Sequence, residues 1–342
     1  MQCYLTDGRG LDTLRLADRP VPVDLADHEV LVRVQAVSLN YRDLLVADGR
    51  YGGPQDPPII AGSDLAGVVA AVGRHVTSLK PGDRVVNAPF RCWPAGSLRR
   101  DWAATFVGGQ GVDGVLAQSV VYPAAALGIC PPKLTPSEAA TLPVAALTAW
   151  AAVVTHGRTR PGEWVLVHGT GGVSLFAAQF ARLAGARVAL SSAHSSKADW
   201  ARQELGIEHT FDYRDADWPR DLRRATGGGV DVVVEVAGGP SLHQSLQACR
   251  YGSRVAVIGV LAGTESQINV FDLIRHQISM RGIYMESTEE FHSMLSALAS
   301  SQIRPTVDRV FPWSDVPAAY RYLQSQQHIG KVVVDVESGH IN

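Results

Sequence analysis

The sequence predicts an α/β protein of two domains, one rich in antiparallel β-strands and one built on a doubly wound parallel sheet. At 342 residues the chain is longer than a single hydrophobic core comfortably supports. Short β-prone runs separated by turn residues fill residues 28–125, a spacing typical of a barrel-like domain. Strands then alternate with helices over residues 127–266, which indicates a parallel sheet covered on both faces.

Composition excludes several classes of protein. Hydrophobic residues make up 46% and charged residues 19% of the chain, as in an ordinary globular enzyme. The net charge is −2 with scattered basic residues, so neither a nucleic acid nor an anionic membrane is an expected partner. The N-terminus lacks the basic patch and apolar run of a signal peptide. We therefore expect a cytoplasmic protein, with four widely separated cysteines that are reduced thiols.

The β-rich domain is predicted from four runs, "EVLVRVQAV", "LAGVVAAVG", "PGDRVV" and "GVLAQSVVY". Residues 87–113 do not fit this pattern, because they combine aromatic, arginine and glycine residues without periodicity. A loop of that length predicts either a functional lid or a poorly ordered insertion.

The second domain begins with strand "EWVLVHG" and a helix whose apolar residues Val173, Phe176, Phe180 and Leu183 share one face. The following segments are predicted as strands "ARVALSS", "HTFDY", "VDVVVEV" and "SRVAVIGV", and as helices "KADWARQELG", residues 216–226 and "SLHQSLQACRYG". In the tail, Ser287 to Glu290 fits a capping box that begins a helix, and "GKVVVDV" is a strand. Pattern alone leaves open which sheet that last strand joins.

A glycine-rich turn joins the first strand of the second domain to its helix. The turn reads Gly169, Thr170, Gly171, Gly172, Val173, Ser174, close to the dinucleotide fingerprint G-x-G-x-x-G. Backbone N–H groups at such a helix N-terminus suit a pyrophosphate, and the third glycine serves only helix–strand packing, where serine is small enough. The sequence therefore favours a nucleotide-binding loop over a tight turn without a ligand.

The end of the second strand indicates which dinucleotide binds. NAD sites place an acidic residue there to bind the ribose hydroxyls. This chain has Ser192 and, five residues later, Lys197, which could hold a 2′-phosphate that a carboxylate would repel. NADP(H) is thus preferred over NAD(H). The alternative is that the serines are helix caps and Lys197 is a solvated first-turn residue.

With these elements in place the chain resembles the medium-chain dehydrogenase/reductase superfamily, in its zinc-independent, quinone oxidoreductase-like (zeta-crystallin-like) branch. The landmarks include "VSLNYRDLLVADGRY", "GSDLAGVVAAVG", "EAATLPVAALTAW", "VLVHGTGGVSLFAAQFARLAGARV", "FDYR" and "HIGKVVV". The resemblance implies a GroES-like catalytic domain of residues 1–126 completed by residues 267–342. A Rossmann domain of residues 127–266 would be inserted, with the active site in the cleft between them.

Relatives that use zinc bind it through cysteine and a His-Glu pair. At the matching places this chain has Asn40, Ser63, Asp64 and, with less certain alignment, Val144. These residues cannot supply the thiolate and imidazole ligands of tetrahedral zinc. The resemblance therefore implies an enzyme without zinc, in which Asp64 is a buried hydrogen-bonding residue.

Loss of the metal changes the expected reaction. Zinc assists alcohol oxidation as a Lewis acid, whereas hydride addition to a quinone or an α,β-unsaturated carbonyl needs only hydrogen bonds to the developing oxyanion. We therefore expect NADPH-dependent reduction of a quinone or enone. The resemblance places Tyr51 where related enoyl reductases carry a proton donor, and Asn40, Tyr41 and Asp43 in the segment that lines the zinc of relatives. Alternatively, both tyrosines are packing aromatics, or Tyr51 donates only a hydrogen bond.

The resemblance also assigns further cofactor contacts. Tyr213 of "FDYR" matches a tyrosine beside the adenosine phosphate, Thr148 matches a cofactor-contacting threonine, and Lys331 could reach the cofactor from the tail. The residues expected near the nicotinamide follow the strand "SRVAVIGV"; they are Gly259, Val260 and Leu261. An edge strand near "SMRGIY" implies a homodimer.

Two other functions remain open from the sequence. One is a zinc-free alcohol or carbonyl oxidoreductase, and the other is a non-catalytic NADPH-binding protein, as some zeta-crystallin-like proteins accumulate for structural roles. Turnover of NADPH with an acceptor distinguishes them.

Overall fold

The computed structural model describes residues 1–339 and contains two compact units. The first unit consists of Met1–Leu147 and the segment from Glu286 onward, and the second of Thr148–Met285. The last three residues of the predicted 267–342 segment lie outside the described residues.

The strands are β1 Gln2–Thr6, β2 Arg15–Asp18, β3 Glu29–Leu39, β4 Ile59–Ile60, β5 Asp64–Val72, β6 Arg84–Asn87, β7 Ser119–Pro123, β8 Leu127–Ile129, β9 Trp164–His168, β10 Arg187–Ser191, β11 His209–Phe211, β12 Val230–Glu235, β13 Cys249–Val257, β14 Ser279–Gly282, β15 Val307–Pro312 and β16 Lys331–Asp335. The α-helices are α1 Tyr41–Ala47, α2 Arg100–Ala103, α3 Pro136–Ala139, α4 Leu147–Trp150, α5 Gly172–Leu183, α6 Ser195–Leu205, α7 Trp218–Ala225, α8 Gly239–Ala248, α9 Val270–His276, α10 Thr288–Ser300 and α11 Val316–Gln324. Two π-helical turns, Leu142–Ala146 and Ala151–Thr155, flank α4.

The first unit is organised around a mainly antiparallel sheet in the order β15-β16-β3-β5-β6-β8, with β7 also paired to β3. A small second sheet has the order β2-β1-β4. The predicted strand "GKVVVDV" forms β16, which runs antiparallel to β3 with Val332 opposite Leu39. The tail strand therefore returns to the first sheet, as the resemblance implied.

The second unit contains a parallel sheet in the order β11-β10-β9-β12-β13-β14. Every residue of β9 is buried, as expected for a central strand that carries consecutive apolar side chains. The order reverses direction at β9, so the carboxyl ends of β9 and β12 meet at the switch point where such sheets bind ligands. This arrangement confirms the predicted doubly wound domain.

The boundaries between the two compact units differ from the boundaries expected from the sequence, which are 126/127 and 266/267. Residues 127–147 stay with the first unit because β8 hydrogen-bonds to β6, with Val85 opposite Ile129. Residues 267–285 stay with the second unit because β14 extends its parallel sheet beside β13. Short edge strands carry too weak a pattern to locate such boundaries from sequence.

The segment 87–113 is irregular but closely packed. The rings of Phe90 and Phe106 stack with centroids 4.8 Å apart, and Trp93 is only 5% exposed. The carbonyl of Trp93 accepts a hydrogen bond of 2.8 Å from the backbone N–H of Thr288, next to the residue that caps α10. The loop thus packs against its own unit rather than forming a loose insertion.

Within residues 1–339 we find no helix that is both long enough and apolar enough to cross a bilayer.

Candidate active site and cofactor-binding loop

A buried polar cluster surrounds the start of α1 in the first unit. Asn40 precedes the helix, and the carboxylate of Asp43 accepts a 2.8 Å hydrogen bond from the Asn40 backbone N–H. The Ser63 hydroxyl donates to Asp43 at 3.1 Å and accepts from the Asn40 side-chain amide at 3.3 Å. Two residues predicted for the active site, Asn40 and Asp43, therefore share one network with Ser63, which the resemblance matches to a zinc-ligand position.

Lys331 reaches this network from β16. Its ammonium donates to the carbonyl of Leu39 at 2.8 Å and to the side-chain oxygen of Asn40, and it lies 3.6 Å from Oδ2 of Asp64. The other oxygen of Asp64 accepts a 3.2 Å hydrogen bond from the backbone N–H of Val144, in the first π-helical turn. We call Asn40, Asp43, Ser63, Asp64 and Lys331 the ammonium cluster. The predicted contact of Lys331 with cofactor stays a prediction, since the described geometry places its Nζ among these acceptors.

Burial dominates the electrostatics of the ammonium cluster. Asp64 is fully buried, and loss of solvation raises the pKa of its carboxyl to about 7, despite the nearby Lys331 ammonium. Burial likewise raises the pKa of Asp43, partly offset by Arg42, and lowers the pKa of Lys331. The cluster thus concentrates two carboxyl groups and one ammonium where each charge is costly.

Arg42 is a member of the site that sequence reasoning missed. Its guanidinium lies 3.3 Å from the Asp43 carboxylate, donates to the carbonyls of Val107 and Gly108, and sits 4.0 Å from the centroid of the Phe106 ring. The signal was its position inside "NYRDLL", beside an acid at the first turn of a helix.

The two predicted tyrosines of this region are half-buried. Tyr51 lies 5.2 Å from the Arg42 guanidinium and makes an edge-to-face contact with Phe106, with centroids 6.5 Å apart. Tyr41 is the first residue of α1. Arg42 therefore connects the ammonium cluster to Tyr51 and to the packed loop that follows Phe106.

The residues of the ammonium cluster do not fit a zinc ion. The four matching positions offer an amide, a hydroxyl, one carboxylate and an aliphatic side chain, whereas protein zinc sites use thiolate, imidazole and carboxylate ligands. The Lys331 ammonium, in contact with Asn40 and close to Asp64, would also repel a dication. In the part of the chain that the structure describes, no three His, Cys, Asp or Glu side chains converge to hold a metal.

The glycine-rich turn of the second unit has the geometry of a phosphate-binding loop. Gly169 has φ +68°, Gly171 precedes α5, and a Cβ at either position would meet no atom within 4 Å. Thr170 is 3% exposed, and its hydroxyl has no hydrogen-bond partner among residues 1–339. Ser174, at the third fingerprint position, is buried and donates a 2.6 Å hydrogen bond to the carbonyl of His168. Open space, a polar atom without a partner and a helix N-terminus fit the pyrophosphate of a dinucleotide.

The predicted 2′-phosphate residues lie around the end of β10. Ser192 is buried, and its hydroxyl accepts a 3.2 Å hydrogen bond from the backbone N–H of His194, which precedes α6. Lys197 is half-buried in the first turn of that helix, and Tyr213 is 45% exposed after β11. Arg214, which the sequence reasoning did not single out, follows Tyr213 and pairs with Asp212 at 2.6 Å.

The predicted nicotinamide loop follows β13, where Val260 and Leu261 are exposed. A Cβ at Gly259 would lie 1.9 Å from the carbonyl oxygen of Val236, so only glycine fits there. Thr148, in α4, is 3% exposed. The loops after β9, β10 and β13 leave the same edge of one parallel sheet, so the second unit brings Gly169, Ser192 and Val260 to that edge.

Comparison with known proteins finds a matching protein family for each of the two units. Residues 26–132 match the alcohol dehydrogenase GroES-like domain, and residues 172–300 match the zinc-binding dehydrogenase family. A zinc-type alcohol dehydrogenase-like protein of Schizosaccharomyces pombe is 38% identical over 336 residues, with 96% of each chain covered. Quinone oxidoreductase of Homo sapiens is 28% identical, covering 91% of this chain and 90% of its own.

Among solved structures, a putative alcohol dehydrogenase from Sinorhizobium meliloti 1021 has a TM-score of 0.91 and 37% identity, with 98% of both chains covered. Both the GroES-like first domain and the Rossmann-type second domain are therefore confirmed, and the second domain binds a nicotinamide cofactor. The chain belongs to the medium-chain dehydrogenase/reductase superfamily, in its zinc-type alcohol dehydrogenase-like group, and is an NAD(P)-dependent oxidoreductase.

Proposed function

We propose that this chain is a zinc-independent reductase that uses NADPH to reduce a quinone or an α,β-unsaturated carbonyl. The observation that carries the proposal is the ammonium cluster, in which the Lys331 ammonium contacts Asn40 and lies near Asp64. The resemblance matches Asn40, Ser63 and Asp64 to the metal-ligand positions of zinc-using relatives. A buried ammonium at this site would repel a zinc ion placed beside it. The expected chemistry is therefore that of an acceptor that needs no Lewis acid.

The second unit would hold the cofactor at the carboxyl edge of its sheet. The backbone N–H groups around Gly169 and Gly171 would bind the pyrophosphate, and Thr170 offers its unpartnered hydroxyl there. Ser192, Lys197 and Tyr213 would surround the 2′-phosphate. A reduced nicotinamide supplies a hydride when bound. The exposed residues Val260 and Leu261 would shield the ring from water.

The first unit would bind the acceptor through hydrogen bonds. The Tyr51 hydroxyl would donate a hydrogen bond to the acceptor oxygen as negative charge develops on that oxygen. This hydrogen bond lowers the activation barrier without the help of a metal ion. The Arg42 guanidinium packs against the rings of Phe106 and Tyr51 and donates to the two backbone carbonyls that follow Phe106. It thereby holds Tyr51 and the loop after Phe106 in place. Asn40 would orient the acceptor, while Asp43 fixes Asn40 through its backbone N–H.

We also propose that the protein is a homodimer that pairs two copies of β14. This strand is an edge of the parallel sheet and is preceded by the exposed apolar residues Val270, Phe271 and Ile274. Light scattering after size exclusion tests this directly, and a monomer mass would contradict it.

The test of function is NADPH consumption, followed at 340 nm, with 1,4-benzoquinone and but-3-en-2-one as acceptors. Ethanol with NADP⁺ and butan-2-one with NADPH serve as saturated controls. We expect turnover with the quinone or the enone at least ten times faster than with either control. Tyr51→Phe should lower kcat for the enone by about 10- to 100-fold, the loss typical of one oxyanion hydrogen bond.

An alcohol or carbonyl oxidoreductase is the second candidate, because the relative at 38% identity is named as alcohol dehydrogenase-like. Faster turnover of ethanol or butan-2-one than of the enone would favour it over the proposed function. Binding of NADPH without turnover of any acceptor would leave a non-catalytic binding protein.

A further inference from the structure

A second buried polar cluster lies at the carboxyl edge of the parallel sheet. His168 ends β9, Ser191 ends β10 and Glu235 ends β12, three neighbouring strands, and Ser245 of α8 completes the group. The His168 ring nitrogens lie 2.6 Å from the Ser191 hydroxyl and 2.8 Å from the Ser245 hydroxyl, and Nε2 is 3.3 Å from Oε2 of Glu235. Ser245 also donates to Glu235. We call these four buried residues the histidine–glutamate cluster.

Glu235 holds the loop that follows β12. Its Oε1 accepts hydrogen bonds from the backbone N–H groups of Ala237 at 2.9 Å and Gly238 at 3.0 Å, and from the Ser241 hydroxyl at 3.2 Å. One carboxylate thus fixes the backbone where the chain turns from β12 into α8. Because Glu235 is fully buried, loss of any of these donors would remove part of the compensation for its charge.

That loop is in turn tied to the loop that follows β13. Ala262 donates a 2.7 Å backbone hydrogen bond to Ala237, and Gly238 forms a bridge with Gly263. The backbones approach closely only because Gly259 carries no side chain, as its Cβ would collide with Val236. The position of the loop containing Val260 and Leu261 therefore depends on the loop that Glu235 holds.

On the other side, the histidine–glutamate cluster meets the glycine-rich turn. The His168 carbonyl accepts the Ser174 hydroxyl, and the backbone N–H of Gly169 donates to the Ser191 carbonyl at 2.7 Å. His168 is the residue before Gly169, so the orientation of its ring is coupled to the start of the turn. One connected network thus spans the pyrophosphate loop and the loop expected at the nicotinamide.

We infer that the histidine–glutamate cluster positions these two loops relative to each other before the cofactor binds. His168, Glu235, Ser191 and Ser245 are positioning residues that act through backbone atoms and do not themselves touch the cofactor. Fixing both loops in advance lowers the ordering cost of binding and so raises affinity. The inference rests on cofactor binding by the second unit.

Two buried serines in the second unit provide a matched test. Ser245→Ala removes a hydroxyl from the histidine–glutamate cluster. Ser253→Ala removes an equally buried hydroxyl whose oxygen lies 2.7 Å from the carbonyl oxygens of both Val230 and Arg250, at the opposite end of β12. Both variants should lose similar thermal stability, since each deletes one buried hydrogen-bonding group. Only Ser245→Ala should weaken cofactor binding.

The measurement is the Kd of NADPH and of NADH by protein fluorescence quenching, together with KM and kcat for NADPH. We expect Ser245→Ala to raise Kd and KM about 10-fold, with kcat at saturating NADPH within about twofold of wild type. Ser253→Ala should keep the wild-type Kd. Ser191→Ala, which removes the other hydroxyl on His168, should change Kd in the same direction and replaces Ser245→Ala where that variant does not fold.

Equal Kd values for Ser245→Ala and Ser253→Ala, or wild-type Kd values in both cluster variants, would overturn the inference while leaving the proposed function intact. A wild-type protein that binds NADH but not NADPH refutes the proposed cofactor, yet the same comparison of variants with NADH still decides the inference. Failure to bind either dinucleotide would refute both.

Discussion

Asp64 and Glu235 are both fully buried carboxylates, yet their pKa values move in opposite directions. Burial raises the pKa of Asp64 to about 7, because the Lys331 ammonium 3.6 Å away, the Asn40 side chain and one backbone N–H compensate only part of the lost solvation, and the nearby Asp43 opposes them. Burial acts in the same sense on Glu235, but His168 and hydrogen bonds from Ser245 and Gly238 outweigh it and hold the pKa at about 2.

The difference shows that donors, rather than depth, decide the state of a buried acid. Glu235 accepts hydrogen bonds from two backbone N–H groups and two serines, which suits a group that holds loops in place. Asp64 has a sparser environment and depends on Lys331. Both carboxyl groups thus lie beside a basic side chain, Lys331 or His168, and the histidine–glutamate cluster differs in the larger number of hydrogen-bond donors around its acid.

Removal of the cation should have the largest effect. Lys331→Met leaves Asp64 and Asp43 without their ammonium, so we expect the free energy of unfolding to fall by about 3–5 kcal/mol, as for other broken buried pairs. Activity should fall at least 100-fold. Urea denaturation and NADPH turnover measure these effects.

Lys80→Met is the control, since Lys80 is exposed and its 2.7 Å pair with Asp83 is screened by solvent and should contribute little to stability. Adding Asp64→Asn to Lys331→Met should restore part of the stability, because the uncompensated charge is removed as well. A stable, fully active Lys331→Met protein would contradict the account of the ammonium cluster.

The two carboxylates should also give opposite pH dependences. An acid with a raised pKa binds more protons when folded, so the Asp64 contribution destabilises the fold as pH rises from 3.8 to about 7. An acid with a lowered pKa binds fewer, so the Glu235 contribution is present above 4.5 and lost as pH falls towards about 2. Each group can change the slope by at most about 1.4 kcal/mol per pH unit.

Urea denaturation at pH values between 3 and 8 measures how the free energy of unfolding depends on pH. Asp64→Asn should reduce this dependence between pH 3.8 and about 7, and Glu235→Gln should reduce it below pH 4.5. The same change of slope in both variants would refute the contrast between the two environments.

A smaller effect is expected at the phosphate loop. A Cβ at Gly171 meets no protein atom and the backbone has φ −75°, so Gly171→Ala should keep wild-type thermal stability. The methyl group would occupy space that the pyrophosphate needs, and we expect the Kd of NADPH to rise about 10- to 30-fold. Gly282→Ala is the control, because its Cβ meets no described atom of its own chain and lies on β14, the strand proposed to pair in the dimer, so it should leave Kd unchanged. Equal affinities in both variants would exclude this loop as the phosphate site.

The smallest expected effect concerns the choice between NADPH and NADH. Lys197→Ala should raise the Kd of NADPH about 5- to 10-fold and that of NADH less than twofold, because only NADPH carries the 2′-phosphate. Lys80→Ala provides a control for the loss of one positive charge elsewhere. Equal losses for the two cofactors would remove Lys197 from the 2′-phosphate site.

Much of the second unit could be predicted from sequence, because its signals are local. The strand at 164–168, the following helix and the function of Ser174 as a small packing residue all follow from periodicity and glycine placement. The contacts of Lys331, in contrast, could not be predicted from the local sequence. "GKVVVDV" reveals a buried strand but not the acceptors that its lysine meets, since Asn40 and Asp64 come from distant parts of the chain.

His168 and Glu235 were missed although they carry a readable signal. Each is a polar residue at the carboxyl end of a strand that is otherwise apolar, in "WVLVH" and "VDVVVE". Only the strand order, which places β9 beside β12, turns these two separate signals into one cluster. Pairing of distant strands is the information that periodicity lacks.

The most direct test of the central claim is the zinc content of the active enzyme. Protein dialysed against EDTA should contain less than about 0.1 zinc per chain by plasma mass spectrometry. It should still reduce but-3-en-2-one with NADPH at the rate measured before dialysis. Stoichiometric zinc together with activity that EDTA abolishes and added zinc restores would contradict the account.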